Sequence, residues 1–530
     1  MARKVPSTAS ELRPWRLLLP ALLCLSLQDA AAFQTSDTAA QANRALTYQR
    51  AGDLDKAIAT YSALDAAAKA QHKSLPSAVL ANYARALAAT GHLEGAAAEM
   101  KAAIAGDPRN ATFEDDLGSI YARQQQWPEA QSHFAAATKL APTLATAHLH
   151  LGLAMQAQGA PEALHELGRA AKLAPQNSAI AFEYGKALAS SGDDAQATSV
   201  FQAILARHNA SADPILMDTT YALALALQRT GKISESIPLL RTVLTKQPNN
   251  AEAMINLGMA LSQTQQTAQA LPVLQRAVAL APSNVVAHQD LAAALVQLNQ
   301  FADAIVELRA ALALAPDLPQ LHYDLGFAYK MQDDAANAIP ELEAAERLDP
   351  QQAESPYLLG VLYMQTGRYE DAARELKTAL SLHPQNGDGW ATLGSVYSKL
   401  DKLPEATAAL EEAIKQLPQQ PDPHLTLAGV LVKQNRPAEA TEQRKQAAVL
   451  MKQNMNRQRA EVATHAGESQ LKSGDLAGAT IQFNDALSYD ANYVEAHIGL
   501  AKVYDAQGKK IEAAAERQKA QAAKLSSSTR

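Results

Sequence analysis

The residues that most invite a chemical reading are His148 and His150, because closely spaced histidines are common metal ligands. Two positions apart on a helix they point to nearly opposite sides, whereas a shared ion wants positions i and i+4. The rest of the thirteen histidines scatter along the chain, and solvated or partly packed rings are expected of them. The carboxylate pairs Asp115-Asp116 and Asp193-Asp194 are expected beside helix ends or on polar faces, as solvated charges rather than an acid–base couple. Ser469-Gln470-Leu471-Lys472 fits S-x-x-K but has no S-D-N or K-T-G companion. Gly185-Lys186-Ala187, Gly231-Lys232-Ile233 and Gly508-Lys509-Lys510 lack the Ser or Thr that a phosphate-binding loop requires. No G-x-S-x-G elbow occurs. The expectation is therefore no enzyme, no catalytic residue, no cofactor and no metal.

The elements that carry these residues are set by a repeat. Pro248, Pro282, Pro316, Pro350, Pro384 and Pro418 follow one another at intervals of 34 residues, as do Pro108 and Pro142. Ten residues beyond each proline stands a small residue, as at Gly118, Gly152, Gly185, Gly258, Ala292, Gly326, Gly360, Gly394 and Ala428. A large apolar residue follows three places later (Tyr121, Leu261, Tyr363), then an alanine (Ala130, Ala270, Ala372). Spacings of one, three and four put these residues on one helical face. Proline, lacking an N–H and restricting its predecessor, ends the second helix of each pair. Each unit is a helix–turn–helix that must stack on its neighbours to bury its apolar face.

Composition agrees. The chain has 530 residues, 48% hydrophobic but only 5% aromatic, and 19% charged. Its apolar excess is Ala and Leu, strong helix formers, which points to small aliphatic packing. The net charge of −7 leaves no basic surplus for nucleic acid. At the N-terminus, Arg3, Lys4, Arg13 and Arg16 precede the apolar run Leu17–Leu27, and Ala30-Ala31-Ala32 supplies small residues for cleavage. That pattern predicts a signal peptide over residues 1–32, with export to a periplasmic or secreted location. The Ala- and Gln-rich composition favours a bacterial source. A short membrane anchor is the minor alternative, although the run, broken by Pro20, is shorter than the about 20 residues a span needs. Cys24, the only cysteine, lies inside that run after Leu23, where a lipidation site wants a small residue, so the mature chain is expected to lack thiol and disulfide chemistry. No strong membrane association of the mature chain is expected. Asn110-Ala111-Thr112 and Asn209-Ala210-Ser211 are glycosylation sequons should the source be eukaryotic.

The chain resembles the tetratricopeptide repeat (TPR) family. Tyr357-Leu358-Leu359-Gly360-Val361-Leu362-Tyr363 through Pro384 follows that family's pattern almost in full, and Trp390 stands at its aromatic place in the next copy. The resemblance implies an all-α, right-handed α-solenoid (superhelix) of about 14 helix–turn–helix units. They run as a main array over residues 38–454, with insertions at 72–76 and 212–216, and a C-terminal pair with capping helix over 460–527, after an insertion at 455–459. The segment 438–466 has neither Pro nor Gly and is either one long helix or a hinge.

In this family the first helix of each pair lines the concave groove, and the resemblance places a candidate partner-binding stripe at the fifth and ninth places of the middle repeats. Those residues are Leu149, Leu153, Phe182 (with Lys186), Tyr221, Leu225, Ile255, Met259, Tyr323, Phe327, Tyr357 and Val361. The competing reading is that tightly wound repeats bury the stripe against one another. Sixth places carry Asn43, Asn82, Asp116, Glu183, Asn256, Asp290 and Asp324, resembling a ladder that holds a peptide backbone. The Lys and Asn of a terminal-carboxylate clamp are missing. The expected function is an exported scaffold or adaptor holding a protein or peptide ligand, in envelope or secretion-complex assembly. The alternatives are a glycan- or small-molecule-binding solenoid and a non-catalytic partner of an enzyme such as a glycosyltransferase.

Overall fold

A computed structural model describes residues 37–207 and 214–528. The expected signal peptide, Cys24 and the sequon at Asn209 lie outside the described residues. Among those described the chain forms 27 helices and no strand, a solenoid of helix–turn–helix repeats. Cα packing divides it into two compact bodies, Met1–Ala281 and Pro282–Arg530.

The first body pairs α1 (Asp37–Arg50) with α2 (Leu54–Ala70), α3 (Ser77–Ala89) with α4 (Leu93–Gly106), and α5 (Ala111–Arg123) with α6 (Trp127–Leu140). It continues with α7 (Ala145–Ala157) and α8 (Ala163–Leu173), α9 (Ser178–Ser190) and α10 (Asp194–Arg207), α11 (Pro214–Arg229) and α12 (Ile233–Lys246), and α13 (Ala251–Gln263) and α14 (Thr267–Leu280). The second body pairs α15 (Val285–Gln297) with α16 (Phe301–Leu314), α17 (Pro319–Met331) with α18 (Ala335–Leu348), and α19 (Glu354–Gln365) with α20 (Tyr369–Leu382). Then come α21 (Gly387–Lys399) and α22 (Leu403–Gln416), α23 (Asp422–Lys433), α24 (Pro437–Lys472), α25 (Leu476–Tyr489), α26 (Val494–Ala506) and α27 (Lys510–Ser528).

The recurring small residue is where the two helices of a pair cross. A Cβ added at Gly118, Gly185 or Gly360 would lie 2.6, 2.5 and 2.5 Å from Phe134, Phe201 and Leu376 of the facing helix. Ala130, Ala197 and Ala372 on those facing helices are fully buried, so the backbones close to near contact and the large neighbours fill the space between.

The turn inside each pair contains one residue in the left-handed region, fourteen in all. Gly367 is typical, and Arg368 N–H then reaches back to the Tyr363 carbonyl at 2.8 Å, closing the end of α19. Asn299, Asp333, Asp401 and Asn435 take the same role, as do Gln125 and Gln265, whose long side chains are less suited to it. Several of the turns between pairs end on an asparagine cap. Asn110, Asn177, Asn250, Asn284 and Asn386 each accept a backbone N–H from the first turn of the next helix. Asn110, read from sequence as a sequon, thus has its side chain engaged in capping α5.

The segment without Pro or Gly is one helix. α24 runs for 36 residues, replacing the turn between two repeats, so residues 455–459 extend a helix rather than a loop. Arg444, at a place where other repeats bury an apolar side chain, is exposed on it. No helix among the described residues is long and apolar enough to cross a membrane.

Candidate partner-binding surface

The stripe of fifth and ninth places does not have one character. In the first body, Leu149 and Leu153 on α7, Phe182 on α9 and Ile255 on α13 are buried. Phe182 turns onto Phe201 of α10, with ring centroids 5.9 Å apart, and Lys186 Nζ lies over the Phe182 ring at 5.4 Å. Tyr221 and Leu225 on α11 and Met259 on α13 keep part of their surface open. In the second body all four members, Tyr323 and Phe327 on α17 and Tyr357 and Val361 on α19, are half-buried. Burial raises the Tyr323 and Tyr357 hydroxyls above their ordinary pKa, and nearby carboxylates add to it: Asp324 and Glu354 around Tyr323, Asp388 around Tyr357.

The sixth places join one repeat to the next. His150 Nδ1 lies 2.9 and 3.0 Å from the two carboxylate oxygens of Asp115. Asn256 Nδ2 donates to the Tyr221 hydroxyl at 2.9 Å, and Gln289 Nε2 donates to Asp324 at 3.3 Å. In each case the partners are a fifth place and the sixth place of the following repeat, 35 residues apart. Asn256 and Asp324, two of the residues expected as a ladder for a bound backbone, are thus occupied in clasping neighbouring inner helices.

Asp115 and Asp116, expected as solvated charges, are buried, and the reason is their partners. Arg85 of α3 donates Nε–H to Asp116 at 2.8 Å and also holds Asn82. Asp115 faces His150 of α7, so three inner helices meet in one buried charged cluster. Burial pushes the Asp116 carboxyl up to about 6, against the pull of the Arg85 guanidinium. Burial opposes the charged form of His150, but the Asp115 carboxylate and its hydrogen bond outweigh this and raise the imidazole above its ordinary value.

Several of the remaining histidines follow the register of the repeat, while His72, His92, His165, His383 and His465 are exposed, as expected. His148, His288, His322 and His497 share the fourth place, and Nδ1 of each lies 2.6 Å from a glutamate of its own second helix: Glu166, Glu307, Glu341 and Glu516. Nε2–H donates to the backbone carbonyl that ends the preceding repeat, at Pro142, Pro282, Pro316 and Ala491. One ring thereby joins three segments. In the repeat of α5 and α6 the pair is exchanged, Glu114 standing at the fourth place and His133 opposite it, again at 2.6 Å. Trp390 fills the fourth place in its repeat and donates Nε1–H to the Pro384 carbonyl at 3.0 Å. His148, His288 and His497 are buried, at 1%, 7% and 6% exposed, beyond the partly packed state expected of these rings. The signal for this was the shared register of histidine and glutamate within the repeat. Among the described residues no group of three or more His, Cys, Asp and Glu side chains is placed to hold a metal ion.

Comparison with known families locates the repeat independently. Models described as tetratricopeptide repeat or TPR repeat match residues 38–61, 77–101, 153–214, 221–285, 293–333 and 329–396. The chain belongs to the tetratricopeptide repeat family. Among solved TPR structures, YrrB, described as a TPR protein with an unusual peptide-binding site, is 20% identical with a TM-score of 0.32, covering 35% of this chain and 95% of that one. Cut9 in the Cut9–Hcn1 hetero-tetramer of the APC/C is 12% identical with a TM-score of 0.32, covering 85% of this chain and 94% of that one. Protein O-mannosyl-transferase Tmtc2 of Drosophila melanogaster is 39% identical over 74 residues, which is 14% of this chain and 8% of that enzyme. The chain thus spans a small fraction of that curated relative. A TPR array of this kind is a protein-interaction scaffold, made of preformed helices that need no folding on binding.

Proposed function

We propose that this TPR chain is an exported scaffold that seats a partner polypeptide on its inner helices, in the assembly of an envelope or secretion complex. Tyr323, Phe327, Tyr357 and Val361 form the contact core, in the second body; Tyr221, Leu225 and Met259 form a partly open surface of the first body by itself. Leu149, Leu153, Phe182 and Ile255 lie beneath the surface and support it. The observation that carries this reading is the half-open state of large side chains on α17 and α19, beside fully buried Leu321, Leu325 and Leu359 on the same helices. Aromatic residues with one face packed and one face open are the usual anchors of an interface. Export rests on the basic and apolar pattern of residues 1–32.

The test is in-cell photo-crosslinking with a photoreactive residue replacing Tyr323, and Lys377 on the outer helix α20 as control. Discrete partner bands from position 323 alone are expected. Bands from 377 alone move binding to the outer face. Once a partner is in hand, Tyr323→Asp with Tyr357→Asp is expected to weaken it at least tenfold with helicity retained, since each anchor contributes on the order of 1–2 kcal/mol. Unchanged affinity in the folded variant sinks the groove.

A further inference from the structure

The middle of α24 stands apart from the rest of the chain in charge and in packing. Between Ala440 and Ala447 at one end and Ala460 and Ala463 at the other, no residue is buried. Residues 444–459 hold Arg444, Lys445, Lys452, Arg457 and Arg459, all exposed, and no Asp or Glu. This occurs in a chain whose 54 acidic residues outnumber its 47 Lys and Arg. Lys445 reaches Glu442 only at 3.7 Å, and Arg459 lies over the Tyr489 ring at 5.7 Å. Arg444 and Lys452 have no ion-pair partner among the described residues.

Apolar side chains stand exposed among these cations. Met451 and Met455 are about half exposed, and so is Val449. At about 100° per residue, Arg444, Met451, Lys452, Met455 and Arg459 fall within an arc of about 100° and share one face, with Lys445 at its edge. A helix that enters lipid segregates its apolar and basic faces, whereas here methionine and cation interleave. A nucleic acid would meet an otherwise acidic molecule, which repels a phosphate polymer beyond the local patch.

We infer that this face of α24 is a docking site for an acidic polypeptide segment with apolar side chains among its carboxylates. Cations draw in and orient such a segment, and the flexible methionines fit its apolar residues without demanding one shape. The surface is separate from the inner stripe of α17 and α19, so either can fail without the other.

The experiment uses the whole protein and three labelled 15-residue peptides with the same leucines, carrying Glu, Gln or Lys at the polar places. Fluorescence anisotropy is expected to show the Glu peptide binding at least tenfold more tightly than the Gln peptide, with most of that preference lost in 0.5 M salt. The triple variant Arg444→Gln, Lys445→Gln and Lys452→Gln keeps good helix formers and is expected to lose at least tenfold in affinity for the Glu peptide, with an unchanged circular dichroism spectrum. Equal binding of the Glu and Gln peptides overturns the inference, as does full affinity in the folded triple variant. So does binding of the protein to vesicles with 30% anionic lipid, or to duplex DNA, that the same triple substitution abolishes.

Discussion

Arg85, Asp116, Asp115 and His150 bring two acids and two bases out of water on three neighbouring helices, so the first body carries a proton-linked term in its stability. Asp116 is raised from 3.8 to about 6, so the folded state binds more protons than the unfolded one across that interval. Stability from this group is therefore present at low pH and lost as pH rises from about 4 to about 6, by about 3 kcal/mol at 1.36 kcal/mol per unit. His150 is also raised, and a raised imidazole contributes below its unfolded value of about 6.5 and loses that contribution as pH climbs through the folded value. The two slopes share a sign. Hydrogen exchange of α3, α5 and α7, corrected for intrinsic rates, measures the consequence. The stability of wild type relative to Asp116→Asn is expected to fall between pH 4 and 6, while a decline above pH 6.5 persists in both proteins. A constant difference across pH 4–6 would show that Asp116 titrates in the folded state as it does in the unfolded chain.

At the scale of elements, the turns give the sharpest expectation. Gly367 holds φ at +78°, and the left-handed region penalises a Cβ by about 1 kcal/mol. Gly367→Ala is expected to destabilise α19 and α20 by about that amount, while Gln265→Gly, at φ 61°, is expected to gain several tenths of a kcal/mol, both read from denaturant midpoints. Losses at both sites would mean that Gln265 makes compensating contacts. The helix pairs themselves were legible, because proline, glycine and alanine recur at offsets that only stacked helices explain. What those offsets hide is anything decided by a side chain of the adjacent repeat. Asp115 and Asp116 look like surface charges until Arg85 and His150 arrive from 31 and 35 residues away. The fourth-place histidines look idle until the carbonyl of Pro142 or Pro316, six residues upstream in the turn between pairs, is seen to be their partner. Within the stripe, neither Phe182 nor Tyr323 announces its exposure. Phe182 has Phe201 to pack on, and Tyr323 keeps an open face.

For the whole molecule, the consequence of repetition is that contacts are almost all between neighbours in sequence. In the first body α7 packs on α8 and on the helices of adjacent repeats, and nothing on its far side depends on it directly. Stability in such an array is a sum of repeat and interface terms rather than one all-or-none quantity. Leu167 is fully buried where α8 crosses α7, with Gly152 opening the space for it. Leu167→Ala leaves a cavity there and is expected to cost about 2–5 kcal/mol locally. In native-state hydrogen exchange that loss should appear in α7 to α10 and fade with distance along the chain, leaving α21, α22 and α25 at wild-type protection. A uniform loss of protection across both bodies would mean that the chain unfolds as a single cooperative unit, and nearest-neighbour coupling would have to be abandoned. A local loss carries a functional corollary. If repeats open independently, the inner face on α17 and α19 and the basic face of α24 can each bind or release a partner without the rest of the scaffold coming apart.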